Sequence, residues 1–186
     1  MSVSARLRGT AYHGAGHAWA GIVTRRQMRR ATIVRDGVTL GNVEFILGPA
    51  WWKALTQEGP ELTLARRARY ENMVVNSLAG AAAEKFYVKP KRLSGFHEDF
   101  RAAADIIGSM SSDPEEVQAY LRLLEVRAAA LVSNPRARIC IPAIAEALLD
   151  RKTLLDREIR EVIRLAEAAS SPCGSTRRLD SPLDSR

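Results

Sequence analysis

His13 and His17 stand four residues apart in the run His13-Gly14-Ala15-Gly16-His17. On a helix that spacing puts both imidazoles on one face, within reach of a single metal ion. Where this pattern serves hydrolysis, a glutamate follows the first histidine and takes a proton from the attacking water. Gly14 occupies that position here and has no side chain. The spacing needed to hold a metal is present, and the neighbouring general base is missing.

A zinc site that does chemistry takes three protein ligands and leaves one place open. The chain has one further histidine, His97, two residues before the carboxylate of Asp99 in Ser94-Gly95-Phe96-His97-Glu98-Asp99-Phe100. Both are candidates for the third ligand. The two cysteines are not: Cys140 sits in the apolar run Arg138-Ile139-Cys140-Ile141 and reads as a buried free thiol, and Cys173 lies in a polar tail. They provide neither a disulfide framework nor a thiolate site.

At 186 residues the chain is long enough for one domain with a sizeable core, and its 46% hydrophobic and 26% charged content is ordinary for a globular protein. No apolar stretch reaches the length of a membrane span, and Met1-Ser2-Val3-Ser4-Ala5-Arg6 lacks the apolar centre of a signal peptide, so a cytoplasmic protein is expected. The net charge is +7, carried mostly by arginine. Arg25, Arg26, Arg29 and Arg30 form the densest basic group and are the candidate surface for nucleic acid. A solvated basic surface is the plainer account, and no recognised nucleic-acid motif or phosphate loop accompanies the cluster.

The elements that must position these residues follow from periodicity and punctuation. A helix is expected from about Thr10 to Thr24, carrying the histidine pair. Ala31–Arg35 and Val38–Leu47 flank Asp36-Gly37 and predict an antiparallel hairpin. Trp51-Trp52 falls in a connecting segment and reads as core or lid packing, with a substrate groove or subunit contact as the other use. Helices are expected at about Leu62–Tyr87, Glu98–Met110, Asp113–Val132, Pro142–Arg151 and Asp156–Ala168. Lys89–Gly95 reads as a loop, and Asn134-Pro135 as a break. Asp113-Pro114-Glu115-Glu116 is a helix start, with an N-cap, proline at the first position and acids near the positive dipole end. Ala79-Gly80-Ala81-Ala82-Ala83 lets another backbone come close. The expected organisation is an extension at 1–9, one domain at 10–168, and a disordered tail at 169–186 rich in Ser, Pro and Arg.

Several of these pieces, in order, resemble the peptidase domain of the FtsH-type AAA+ zinc metalloproteases. Thr10-Ala11-Tyr12-His13-Gly14-Ala15-Gly16-His17-Ala18 is similar to that family's zinc helix, which reads His-Glu-Ala-Gly-His. Ala31–Arg35 with Leu40-Gly41 resembles its strand pair. Leu78–Glu84 resembles its Gly-Arg-Ala-Ala-Glu helix, Ser94-Gly95 through Asp99-Phe100 its ligand loop, and Ala145–Leu154 its late helix and turn. The matches span about residues 10 to 166.

The resemblance implies a zincin-like fold, mainly α within the α+β class, with a small antiparallel hairpin or sheet. It implies zinc held by His13, His17 and Asp99, with His97 a bystander and Glu84 an acid near the site. The implied family activity is endopeptidase cleavage of unfolded polypeptide, impaired or lost here because Gly14 replaces the base. Glu84 and Glu98 are the candidate substitute acids. An extended substrate would pair with an exposed strand, from Ile33 or from Val43–Leu47. Relatives carry an ATPase module and a membrane anchor, and this chain shows neither. The expectation is a free-standing peptidase domain, with any unfoldase on a separate chain and a homo-oligomer as a further candidate partner. The competing expectation is a non-catalytic peptide- or protein-binding module with a structural zinc.

Overall fold

The structure is a computed structural model that describes residues 4–36, 39–46, 63–89 and 96–170. Trp51-Trp52, the loop residues 90–95, Leu47, Cys173 and the tail beyond Ser170 lie outside the described residues. Among the described residues, six helices and three strands follow one another as α1 (Ala5–Val23), β1 (Met28–Asp36), β2 (Thr39–Phe45), α2 (Leu64–Tyr87), α3 (Phe96–Gly108), α4 (Pro114–Ser133), α5 (Pro135–Arg151), β3 (Thr153–Leu155) and α6 (Asp156–Ser170). The protein is mainly helical with a small antiparallel sheet, as expected from sequence.

α1 is the central element. It starts at Ala5, inside the stretch expected to be an extension, because the Ser4 hydroxyl accepts the Leu7 N–H at 3.2 Å. From Gly9 to Gly21 nearly every residue is buried, against α2 on one side and α5 on the other. Small residues make this approach feasible. A Cβ at position 16 would lie 2.5 Å from the Ala79 carbonyl oxygen and 2.6 Å from the Ala83 Cβ of α2. α1 ends when Arg25 enters the left-handed region (φ 56°), which lets the Arg26 N–H reach back to the Gly21 carbonyl at 2.8 Å.

The sheet has the order β2-β1-β3. β1 pairs antiparallel with β2 from Met28↔Phe45 to Asp36↔Thr39, and with β3 through Arg30↔Leu155, Ala31↔Leu154 and Thr32↔Thr153. β1, which carries Ile33, is therefore the central strand. The expectation that Ile33 offers a free edge is corrected: among the described residues β2, with Val43, is an edge. Where the resemblance implies a turn, the chain forms β3. Three residues are too few to show alternation, and their strand character comes from pairing with β1.

The break at Asn134-Pro135 is as read from sequence, but the helix after it starts earlier than expected. Asn134 closes α4 and caps α5, its side-chain oxygen accepting the Ala137 N–H at 2.9 Å with Pro135 in the first turn. α5 thus begins at Pro135 rather than at Pro142, which sits inside the helix. Pro142 costs a backbone hydrogen bond. The helix continues because Ile141, Ile144, Ala145 and Leu148 are fully buried. The Asp113 cap is as read from sequence, its carboxylate accepting the Glu115 N–H at 2.8 Å.

Gly14 and Gly16 should respond oppositely to a methyl group. A Cβ at position 14 meets only Leu148 Cδ1, at an ordinary 3.7 Å. Gly14→Ala is therefore expected to stabilise by about 0.5–1 kcal/mol through helix propensity. Gly16→Ala is expected to destabilise by about 1–3 kcal/mol by forcing α1 off α2. Chemical denaturation of both variants checks the opposite signs.

Candidate metal centre

The two histidines point from α1 toward α2 and the first turn of α3. His13 Nε2 and His17 Nε2 are 3.0 Å apart. Asp99 Oδ2 is 3.0 Å from the first and 3.4 Å from the second. Two imidazole nitrogens and a carboxylate oxygen thus form a small triangle. A tetrahedral ion with bonds of about 2.0–2.1 Å keeps its ligand atoms about 3.3 Å apart, so these separations suit one ion. His13, His17 and Asp99 form a group that could hold a metal ion.

A polar group stands on the outer side of each ring. His17 Nδ1 faces the Asn76 main-chain oxygen at 2.8 Å, so it donates there. His13 Nδ1 faces Glu84 Oε2 at 3.4 Å. With both neutral rings protonated at Nδ1, the two Nε2 atoms present lone pairs to each other and to Asp99. Three acceptors then converge with no hydrogen between them. Asp99 Oδ2 and His13 Nδ1 are both buried without a well-aligned hydrogen bond. This is how a ligand set looks to its metal, with the second ring nitrogen oriented by a carbonyl or a carboxylate.

Gly80 of α2 supplies the room. A Cβ there would lie 2.3 Å from His17 Nε2 and 2.7 Å from His13 Nε2. Only glycine leaves that volume free. Gly9 does the same for the acid behind His13: a Cβ at position 9 would lie 2.7 Å from Glu84 Oε1. Glu84 is 2% exposed, and it is placed on the Nδ1 side of His13, behind the ring from the ligand atoms.

Each expected site residue can now be located. His13, His17 and Asp99 come together, and Glu84 stands behind His13. His97 and Glu98 are both exposed on the first turn of α3. Gly14 is buried, with its open side toward Leu148 of α5. Cys140 is a buried free thiol whose burial, with Glu167 beside it, pushes its pKa up to about 11. Sequence reading missed Asn76, Gly80 and Gly9. A main-chain carbonyl leaves no trace in residue type. The small-residue run around Gly80 signals a close approach without saying what approaches.

Of the four clustered arginines, Arg29 and Arg30 pair with Glu44 at 3.1 Å each, and Arg26 stacks on Phe45 with its guanidinium carbon 4.1 Å from the ring centre. Most of this cluster is engaged within the sheet region. No helix among the described residues is long and apolar enough to cross a membrane. Comparison with protein-family models and with curated proteins gives no match for this chain.

Without an ion, burial lowers the His13 pKa, but Asp99 and Glu84 outweigh it and bring it to about 9 from an ordinary 6.5. Burial of Asp99 acts to raise its pKa, and the two histidines overcome this and hold it well below the usual carboxylate range. A raised histidine pKa stabilises the fold fully below the unfolded value and progressively less as pH climbs through the folded value. Chelator-treated protein should therefore lose Tm between pH 6.5 and 9. The Tm gain from added zinc should grow over the same range, because the ion must displace that proton. Thermal unfolding with chelator and with zinc at several pH values checks both trends. Gly80→Ala should remove stoichiometric zinc binding, and Glu84→Ala should weaken it by about 10–100-fold. Competition with a chromophoric chelator reads both.

Proposed function

We propose that this chain is a zinc-metallopeptidase-like domain of the FtsH kind that keeps its metal centre and has impaired or lost proteolysis. The observation that carries this is the convergence of His13 Nε2, His17 Nε2 and Asp99 Oδ2 against the bare backbone of Gly80. Two nitrogens and one oxygen form a donor set that suits zinc. A zinc ion held there would polarise a carbonyl and acidify a water.

The residues themselves divide the remaining work. His13, His17 and Asp99 hold the ion, while Asn76 and Glu84 fix the planes of the two rings. No carboxylate follows His13, so nothing at position 14 accepts a proton. Glu84 does not replace it, because it faces the far nitrogen of His13. Glu98 is exposed. An extended peptide could add to β2 through main-chain hydrogen bonds. On this reading the partner is unfolded polypeptide, delivered by a separate unfoldase, in the cytoplasm, with self-association into a homo-oligomer as an added option. The second reading, favoured by Gly14, is a peptide-binding module in which zinc is structural.

The discriminating experiment measures metal content and cleavage of an unstructured polypeptide for the wild-type protein and Gly14→Glu, with and without chelator. The expected result is one zinc per chain in both. Cleavage should rise in Gly14→Glu by about 10²-fold or more and vanish with chelator. Zinc-bound Gly14→Glu without any gain would favour the binding module. Metal-free protein after purification in zinc would reject both.

A further inference from the structure

The buried apolar residues separate into two clusters. The first joins α1, β1, β3, α5 and α6, and takes in Ala79 and Ala83 of α2 and Val132 at the end of α4. The second joins Val74, Val75 and Leu78 of α2, Ala103 and Ile107 of α3, and Leu121, Leu124 and Ala128 of α4. α1 contributes nothing to the second cluster, and α3 nothing to the first. α3 packs substantially on α2 and α4 alone.

α2 and α4 bridge the two clusters with apolar side chains, and Asp99 takes α3 across the same division. Asp99 projects from the first turn of α3, within the second cluster's territory, to the two histidines of α1, in the heart of the first. α3 is otherwise anchored within the second cluster, where Phe100, Ala104 and Ile106 pack half-buried beside Ala103 and Ile107. It has 13 residues, near the length at which helices without tertiary support are marginal. Among its described side chains, Ala103 and Ile107 are the fully buried apolar ones.

We propose that the ion bound by His13, His17 and Asp99 is a cross-link between the two cores, holding α3 against α1 across α2. This rests on the metal-binding reading above and deepens it. The holding role asks nothing of position 14: three ligands on two helices suffice, and a proton acceptor adds nothing. It explains how the ligand set remains useful beside Gly14. It also makes the stability of α3 depend on metal in a way that the stability of α5 and α6 does not, because those helices lie wholly in the first cluster.

Hydrogen exchange of the full chain, resolved by peptide, tests this with one equivalent of zinc and after chelation. Metal content is measured on the same samples. Removing zinc should speed exchange across residues 100–108 of α3 by about tenfold or more, with α5 and α6 changing by less than about twofold. Asp99→Asn, which keeps the side-chain shape and weakens the ligand, should show fast α3 exchange even in zinc. If zinc is bound and α3 exchange does not respond, or if all helices respond equally, the cross-link is overturned while metal binding stands. If no zinc is bound, both fall.

Discussion

With both rings neutral and protonated on their outer nitrogens, three electron-pair donors meet at the centre of this molecule. Each is forced into place by something behind it: the Asn76 carbonyl behind His17, the Glu84 carboxylate behind His13, and the start of α3 behind Asp99. Like partial charges at about 3 Å repel, and strongly so away from bulk water. A cation resolves that repulsion. A proton on His13 resolves it in part, which is why its pKa stands so high without an ion. The fold around the site reads as the machinery that keeps these atoms together despite their mutual repulsion.

That machinery is built from absent side chains. Gly16 lets α1 press on the Ala79 carbonyl, Gly9 admits the Glu84 carboxylate, and Gly80 leaves the space beside the imidazole pair. Glycines inside helices cost local stability. α1 and α2 offset this through burial: Tyr12, Trp19, Val74 and Leu78 are almost wholly enclosed. Gly14 differs from the others, since its open side faces Leu148 at ordinary contact distance and no close approach requires it. Close packing accounts for three of these glycines and not for Gly14.

Much of the fold was legible because the signals were local. The Asp113-Pro114 start, the antiparallel pair β1–β2 and the long helix ending at Tyr87 each announce themselves in a few adjacent residues. What failed was decided at a distance. Pro142 looked like a helix start, yet four fully buried residues carry α5 through it. β3 exists only because β1 is there to pair with it. At the site, the histidine spacing named two candidate ligands. The residues alone left Asp99 and His97 both open, and family resemblance favoured Asp99. The structure brings Asp99 to the histidines and leaves His97 exposed. Periodicity could not have chosen between them without knowing how α3 docks.

The volume beside the imidazoles also has a comparative meaning. One methyl group at position 80 would occupy the ground an ion needs, so the two are mutually exclusive tenants of the same few cubic ångströms. A sequence with the same paired histidines and a bulkier residue at the matching helix position would be expected to fold as a metal-free cousin, its imidazoles turned aside. The absence of one carbon atom on a neighbouring helix would then say more about whether such a protein carries an ion than the histidines that would grip it.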